Sequence, residues 1–388
     1  MPSTPGANPF RYEEPVAPDE LIDREPELAA LASRAREGRN TRLTAPRRFG
    51  KTSLLRRLLR DARRDGMAAV YVDLYGVLSV EDVAVRVELA YERDLDGRLR
   101  RWYDGFRRTL RPSARVSAGV ASLELAAADR PAAAQRALLE RLATPRELHE
   151  RHGTPVVVVF DEFQSLLGAG PELDAVLRSE IQHHGDGVAY VFAGSHPGMM
   201  AELFGGRDRP LFDQASPLTI GRLPADALAE HLGERFAASR RDPGDALGPL
   251  LDLAGGHPQR AMQLAYHLWA ATPAEGRATS DEWTAALAAT GREVEDAFRA
   301  TWGALPATRQ RVLAALADGV GELTAAATIA RYRTSKGASP GALAALRAAG
   351  EVEDDPGSPG GVRIVDPLLA RWIAAGRRWE PPGGETGA

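Results

Sequence analysis

Two kinds of apolar periodicity alternate along the first part of the chain, and only one continues after it. Short strand-like runs occur at RNTRLTA (39–45), MAAVYVDLYGV (67–77), TPVVVVFDEF (154–163), VAYVFAGSHPG (188–198) and ASPLTIGRL (215–223). Val156 to Val159 are consecutive and β-branched with no polar face, the pattern of a strand buried on both sides of a parallel sheet. Between these runs, apolar residues recur at helical spacing. DREPELAALASRARE (23–37) has Asp23 as its expected N-cap and acids in its first turn, and KTSLLRRLLRDARRDG (51–66) is closed by Gly66. An alanine-rich helical stretch ends near Gly153. Alternation of strand and helix from about residue 40 to 222 predicts a doubly wound α/β domain.

Beyond Pro224 the signals to about Gly303 are helical only, with GGHP (255–258) marking a turn between two helices. From Leu305 to Trp372, three helical segments (PATRQRVLAALAD, LTAAATIARY and SPGALAALRAAG) precede the strand–turn–strand pattern EVEDDPGSPGGVRIVDP. That order is a winged-helix pattern. The predicted division is therefore an N-terminal extension (1–22), an α/β core (23–223), a helical lid (224–303), a winged-helix-like domain (304–375) and a flexible tail (376–388). The closing EPPGGETGA has nothing apolar with which to pack, and no internal repeat is present.

Composition narrows the class. The 388 residues are 44% hydrophobic and 26% charged, with a formal net charge of −4, so bulk electrostatics favour neither nucleic acid nor an acidic membrane as main partner. There is no cysteine, hence no disulfide framework and no thiolate metal site. The polar, proline-rich start lacks the apolar core of a signal peptide, and no apolar run reaches the ~18 residues needed to span a bilayer. The expectation is a cytoplasmic protein. Lysine occurs only at 51 and 336, every other basic side chain being arginine. A phosphate loop is one of the few places where a compact ammonium outperforms a planar guanidinium.

Lys51 sits in LTAPRRFGKTSLL (43–55), which matches the phosphate-loop pattern G-x-x-x-x-G-K-[ST] except that Ala45 replaces the opening glycine. The first glycine serves mainly the turn out of the strand, where alanine is the smallest substitute and Pro46 also biases the chain to turn. Gly50 is the stringent position, because backbone passes closest to phosphate there. Ala45, Pro46, Arg47, Arg48, Phe49, Gly50, Lys51, Thr52 and Ser53 thus form the expected phosphate-binding segment. In it Lys51 reaches the β- and γ-phosphates and Thr52 gives its hydroxyl to Mg²⁺. About a hundred residues on, VVVVFDEF ends a buried strand in two carboxylates. Asp161 is placed to hold the Mg²⁺ shell and Glu162 to orient an attacking water. Each motif alone has a bland reading, a basic turn or a strand-end cap, and it is the pair that points to a nucleotidase. The N-K-x-D motif common in GTPases cannot occur, because asparagine is found only at 8 and 40. ATP is the expected nucleotide.

NPFRYEEPVAPDELIDREPELAAL, APRRFGKTSLL, VVVVFDEFQSL, VFAGSHPGMM, GGHPQRAMQLAYHLW and VRIVDPLLARWI together resemble the archaeal-type AAA-like P-loop ATPases, relatives of the origin-recognition and STAND ATPases, from about Asn8 to Trp372. The resemblance implies an AAA+-like parallel-sheet core, an all-α lid and a C-terminal winged helix, with slow or partner-stimulated ATP hydrolysis. It implies that Ser195 is a sensor of the γ-phosphate or water, and that Arg260 reaches the γ-phosphate from the lid unless it is an ordinary lid-helix arginine. It implies an arginine finger across a subunit boundary at Arg222, Arg207 or Arg209, unless these are ordinary solvated arginines. Pro9, Phe10 and Ile22 are implied around adenine. His196 and His257 have no metal-ligand pattern.

DNA binding is disfavoured from the residues. The third winged-helix segment offers only Arg347, its hairpin EVEDDPGSPGG is acidic, and eight basic side chains nearly balance seven acidic ones between 303 and 375. An unidentified protein partner and self-association are the expected contacts. The basic run Arg98 to Arg115, with Trp102, Tyr103 and Phe106 interleaved, reads either as a nucleic-acid surface or as a solvated helix face over buried aromatics, the latter being the default.

Overall fold

The computed structural model describes residues 7–109, 132–170 and 172–379. By contacts the chain forms two compact units: Arg24–Ala45 with Lys51–Ile220, and Met1–Asp23 with Pro46–Gly50 and Gly221–Ala388. Among the described residues no helix is long and apolar enough to cross a membrane.

The first unit is built on five parallel strands, β1 (Thr41–Thr44), β2 (Ala68–Asp73), β3 (Val156–Asp161), β4 (Val188–Gly194) and β5 (Ser216–Thr219), ordered β2-β3-β4-β1-β5. β3 and β4 are buried along their whole length, as the valine run requires. Its main helices include α1 (Glu25–Arg36), α2 (Lys51–Arg64), α3 (Val80–Asp94), α4 (Gly97–Thr109), α5 (Thr144–His152), α6 (Leu173–Ile181) and α7 (Pro197–Phe204). In α2, Leu54, Leu55, Leu58, Leu59 and Ala62 make the buried face, and arginines at 56, 57, 63 and 64 fall elsewhere on the helix. Ser79 caps α3 by accepting from the backbone of Asp82.

Two sequence expectations meet the structure differently. Asp23 does not cap α1: Arg24 is the capping residue, its side chain pairing with Glu27 at 3.0 Å rather than capping, and Asp23 adopts a left-handed φ of 43° outside the helix. The first turn is served instead by Glu25 and Glu27, whose charges suit the positive end of the dipole. The basic run adopts the solvated-face arrangement as far as Thr109. On α4, Tyr103 is buried, Trp102 stacks on Phe106 with centroids 5.1 Å apart, and Arg107 pairs with Glu88 and Glu92. Residues 110–115 of that run, and the tail from 380, lie outside the described residues.

The second unit holds the lid helices α8 (Ala225–Ala238), α9 (Leu247–Ala254), α10 (Pro258–Ala271) and α11 (Ser280–Ala304). A winged helix follows: α12 (Ala307–Ala317), α13 (Ala326–Tyr332), α14 (Ala338–Ala349), the antiparallel pair β6 (Val352–Asp354) and β7 (Val362–Ile364), and α15 (Pro367–Ala374). Thr279 and Glu282 form a capping box at the start of α11. At the hairpin, Gly360 takes φ 72° and a Cβ there would lie 2.2 Å from the Gly321 carbonyl oxygen, so no other residue fits. Lid and winged helix share one apolar core, in which Leu228, Phe236 and Leu264 belong to the same cluster as Leu313, Leu346 and Trp372.

Candidate nucleotide-binding site

In the first unit, the C-terminal ends of β1, β3 and β4 are neighbours, because β4 pairs with both of the others. Ligands of open α/β sheets bind at such ends. Lys51 opens α2, Asp161 ends β3 with Glu162 next, and Ser195 follows β4. The Lys51 ammonium donates to Asp161 Oδ1 and, at 2.8 Å, to Glu162 Oε1. Thr52 Oγ1 donates to Asp161 Oδ2 at 3.3 Å, and Ser195 Oγ donates to Glu162 Oε2 at 2.9 Å. Ser53 is buried in the same first turn of α2.

Glu162 has a left-handed backbone (φ 52°), uncommon for a non-glycine residue, which turns its carboxylate away from the strand direction. Desolvation would raise its carboxyl, but the Lys51 charge and the bonds from Lys51, Ser195 and Gln164 outweigh it and hold it below the ordinary range. Glu162 is therefore an ionised acceptor at neutral pH. Gln164 Nε2, 2.5 Å from Glu162 Oε2 and 3.2 Å from His196 Nδ1, fixes the other side of that oxygen.

The Ala45 substitution has a physical answer. Ala45 is fully buried, does not have a positive φ, and donates its N–H to the Gly194 carbonyl at 3.2 Å, so the position makes no demand for glycine. Gly50 does make that demand: its φ is 87°, and no protein atom lies within 4 Å of where a Cβ would stand.

For a metal, Thr52 and Asp161 offer one hydroxyl and one carboxylate, hard oxygen donors side by side. Among the described residues no group of three His, Cys, Asp or Glu side chains gathers to hold a metal. The pair suits Mg²⁺, which favours one or two protein oxygens with phosphates and waters completing the octahedron.

Most of the other predicted residues belong to the second unit. Within it Phe49 of the loop tip is buried against His257, centroids 4.8 Å apart, while Arg47 and Arg48 are exposed beside Pro46. Arg48 adopts φ 69°. Arg260, in the first turn of α10, is buried. Its Nε lies 3.1 Å from both Asp366 oxygens, its Nη2 bonds Asp366 as well, and its Nη1 donates to Gln263 at 2.5 Å. Arg222 bonds Glu353 and donates to the carbonyls of Gly255 at 2.9 Å and Val365 at 2.6 Å. Phe10 is buried on Phe236 at 5.0 Å, the Pro9 carbonyl accepts from Arg235 at 2.9 Å, and Ile22 is half-buried against the same core. In the first unit Arg209 pairs with Glu202 at 2.6 Å, while Arg207 is exposed.

His257 has no ligand pattern in the sequence, and the structure gives it another role. It is buried, its Nδ1 accepts from the Arg260 backbone, and burial pushes its pKa down to about 3, so it is a neutral helix cap. Gln164, Tyr71, Glu353 and Asp366 belong to no motif in the sequence. Only Gln164, two residues past Glu162, carried a local signal.

A parallel sheet with a lysine loop after β1 and an Asp-Glu pair after β3, followed by an all-α lid and a winged helix, is a P-loop NTPase fold of AAA+ type. The chain has the fold of the archaeal AAA-like P-loop ATPases that includes the origin-recognition proteins. It is similar to a Walker-type ATPase of Pyrococcus abyssi with a TM-score of 0.69 at 17% identity, over 94% of this chain and 99% of that one. It is also similar to the ORC2 protein of Aeropyrum pernix. For that protein's ADPNP–ADP complexes the TM-score is 0.56 at 17% identity, over 93% and 94% of the two chains. For its ADP form the score is 0.51 at 18% identity, over 94% and 97%. No protein-family profile and no curated protein sequence matches the chain.

Proposed function

We propose that the protein binds and hydrolyses ATP with Mg²⁺ and works as a nucleotide-dependent switch acting through a protein partner. The observation that carries the reading is the gathering of Lys51, Thr52, Asp161, Glu162 and Ser195 at the ends of three adjacent parallel strands. Lys51 neutralises the phosphates, exchanging its carboxylate partners for them. Thr52 and Asp161 hold Mg²⁺, which when bound screens the phosphate charge. Glu162, kept ionised and oriented by Ser195 and Gln164, accepts a hydrogen bond from the attacking water and aligns it.

The second unit supplies the elements of a switch. Asp366 at the head of α15 holds Arg260, and Glu353 on β6 holds Arg222. A γ-phosphate that draws Arg260 competes with Asp366, so phosphate occupancy and the hold on the last helix are linked. Turnover in isolation is slow, and a partner docking on the winged helix stimulates it. Among the three arginine-finger candidates, Arg207 is the exposed one, suited to a neighbouring copy.

ATP binding and hydrolysis by the wild type, Lys51→Ala and Glu162→Gln test this. Wild-type turnover, loss of binding in Lys51→Ala and retained binding with at least ~100-fold slower hydrolysis in Glu162→Gln are expected. Wild type that binds without any hydrolysis, even at high concentration, would reduce the protein to a static binder.

The alternative reading, a DNA-binding initiator- or regulator-like ATPase using the winged helix, would draw on the exposed Arg311 and Arg333 beside the start of α14. Against it, Arg347 is paired with Asp354, and Arg363 with Glu353 and Asp355, in an acidic hairpin. A duplex-DNA gel shift that weakens steeply with salt would favour the alternative.

A further inference from the structure

We infer that Tyr71 is a positioning residue for the Mg²⁺-facing carboxylate of Asp161. The inference rests on the nucleotidase reading above. Tyr71 lies on β2, the edge strand, opposite Val159, with Asp73 opposite Asp161. Val70 and Val72 face the apolar core, so alternation puts Tyr71, Asp73 and Asp161 on the other face of the sheet. On the open edge, the Tyr71 N–H donates to Asp94 Oδ2 at 2.7 Å and its carbonyl accepts from Arg93 Nη2 at 2.5 Å. Both backbone groups of the residue are thus pinned, and the edge is closed to further pairing.

From that fixed base the Tyr71 hydroxyl donates to Asp161 Oδ2 at 2.7 Å. Asp161 is 2% exposed and receives four donors: Lys51 Nζ and the Glu162 N–H on Oδ1, Thr52 Oγ1 and Tyr71 on Oδ2. Lys51 and Thr52 are the two that turn to phosphate and metal. Tyr71 is the side-chain donor that stays, holding the plane of a buried carboxylate that would serve the metal. A hydrogen bond from outside the ligand set is the usual means of orienting a ligating carboxylate, and its loss typically costs about 10–100-fold in metal affinity or activity.

The test compares ATP affinity in EDTA and across a Mg²⁺ titration for the wild type, Tyr71→Phe, Asp161→Asn and the double variant. In EDTA, Tyr71→Phe binds ATP as the wild type does. In Mg²⁺, the gain in affinity shrinks by about 10-fold and the half-saturating Mg²⁺ rises in proportion. In the Asp161→Asn background, Tyr71→Phe adds nothing. An unchanged Mg²⁺ response overturns the inference, as does an equal loss with and without Mg²⁺, or an additive effect in the double variant. A wild type that binds no ATP under either condition overturns the nucleotide reading itself, and this inference with it.

Discussion

Lys51 in one unit and Arg260 in the other are both buried cations held by carboxylates far away in sequence, 110 and 106 residues off. Their geometries differ. The ammonium is a point charge touching Asp161 and Glu162 singly, contacts that a phosphate oxygen reproduces without rearranging the chain. The guanidinium meets Asp366 through Nε and Nη2, is backed by Gln263, and lies over the Phe298 ring at 5.6 Å. Arg222 is held comparably, by Glu353 and the carbonyls of Gly255, Ile364 and Val365. A lysine so placed is ready to exchange partners, whereas an arginine so placed ties elements together and releases them only if something stronger competes.

The contrast can be broken first at Lys51. Lys51→Ala leaves Asp161 and Glu162 facing each other with no cation, and besides losing ATP binding it is expected to lower unfolding stability by about 3 kcal/mol in chemical denaturation. Asp366→Asn strands the buried Arg260. Because the Asp366 side chain is 25% exposed, the cost is smaller, about 2 kcal/mol by the same measurement, and it speeds nucleotide exchange if α15 is held as proposed. A double-mutant cycle on Arg222 and Glu353 sharpens the comparison further. A coupling of about 1 kcal/mol is expected, and a value near zero would mean that the carbonyls alone hold Arg222.

One further prediction concerns pH. His257 is neutral in the folded chain with a pKa near about 3, against about 6.5 when unfolded. The unfolded chain therefore binds the extra proton between these values. This contribution is complete above about pH 6.5 and is lost at about 1.4 kcal/mol per pH unit as pH falls toward 3. Denaturation midpoints of wild type and His257→Asn between pH 7 and 5 should diverge in slope accordingly, and parallel slopes would contradict a buried neutral imidazole.

The parallel sheet, the lid helices and the winged helix were legible because their signals are local: a valine run, helical spacing, turn residues at 255–258 and 355–361. The cap of α1 is Arg24 and not the expected Asp23, since which residue turns into a helix depends on the incoming chain as much as on its side chain. Of the site, the loop and the Asp-Glu pair stood out because each is contiguous. Tyr71 did not, because its role depends on the register that sets Asp73 beside Asp161.

What the sequence by itself determined is the kind of chemistry on offer. One lysine stands in a glycine-bearing turn and two carboxylates end a strand, and those residue types have few other uses in that pattern. Only the tertiary structure decided which partners each charge has. Hydrogen-bond pairing reaches a few ångströms in space with no limit in sequence, so the hold of Asp366 on Arg260, of Glu353 on Arg222 and of Tyr71 on Asp161 exists only once the strands and helices are packed.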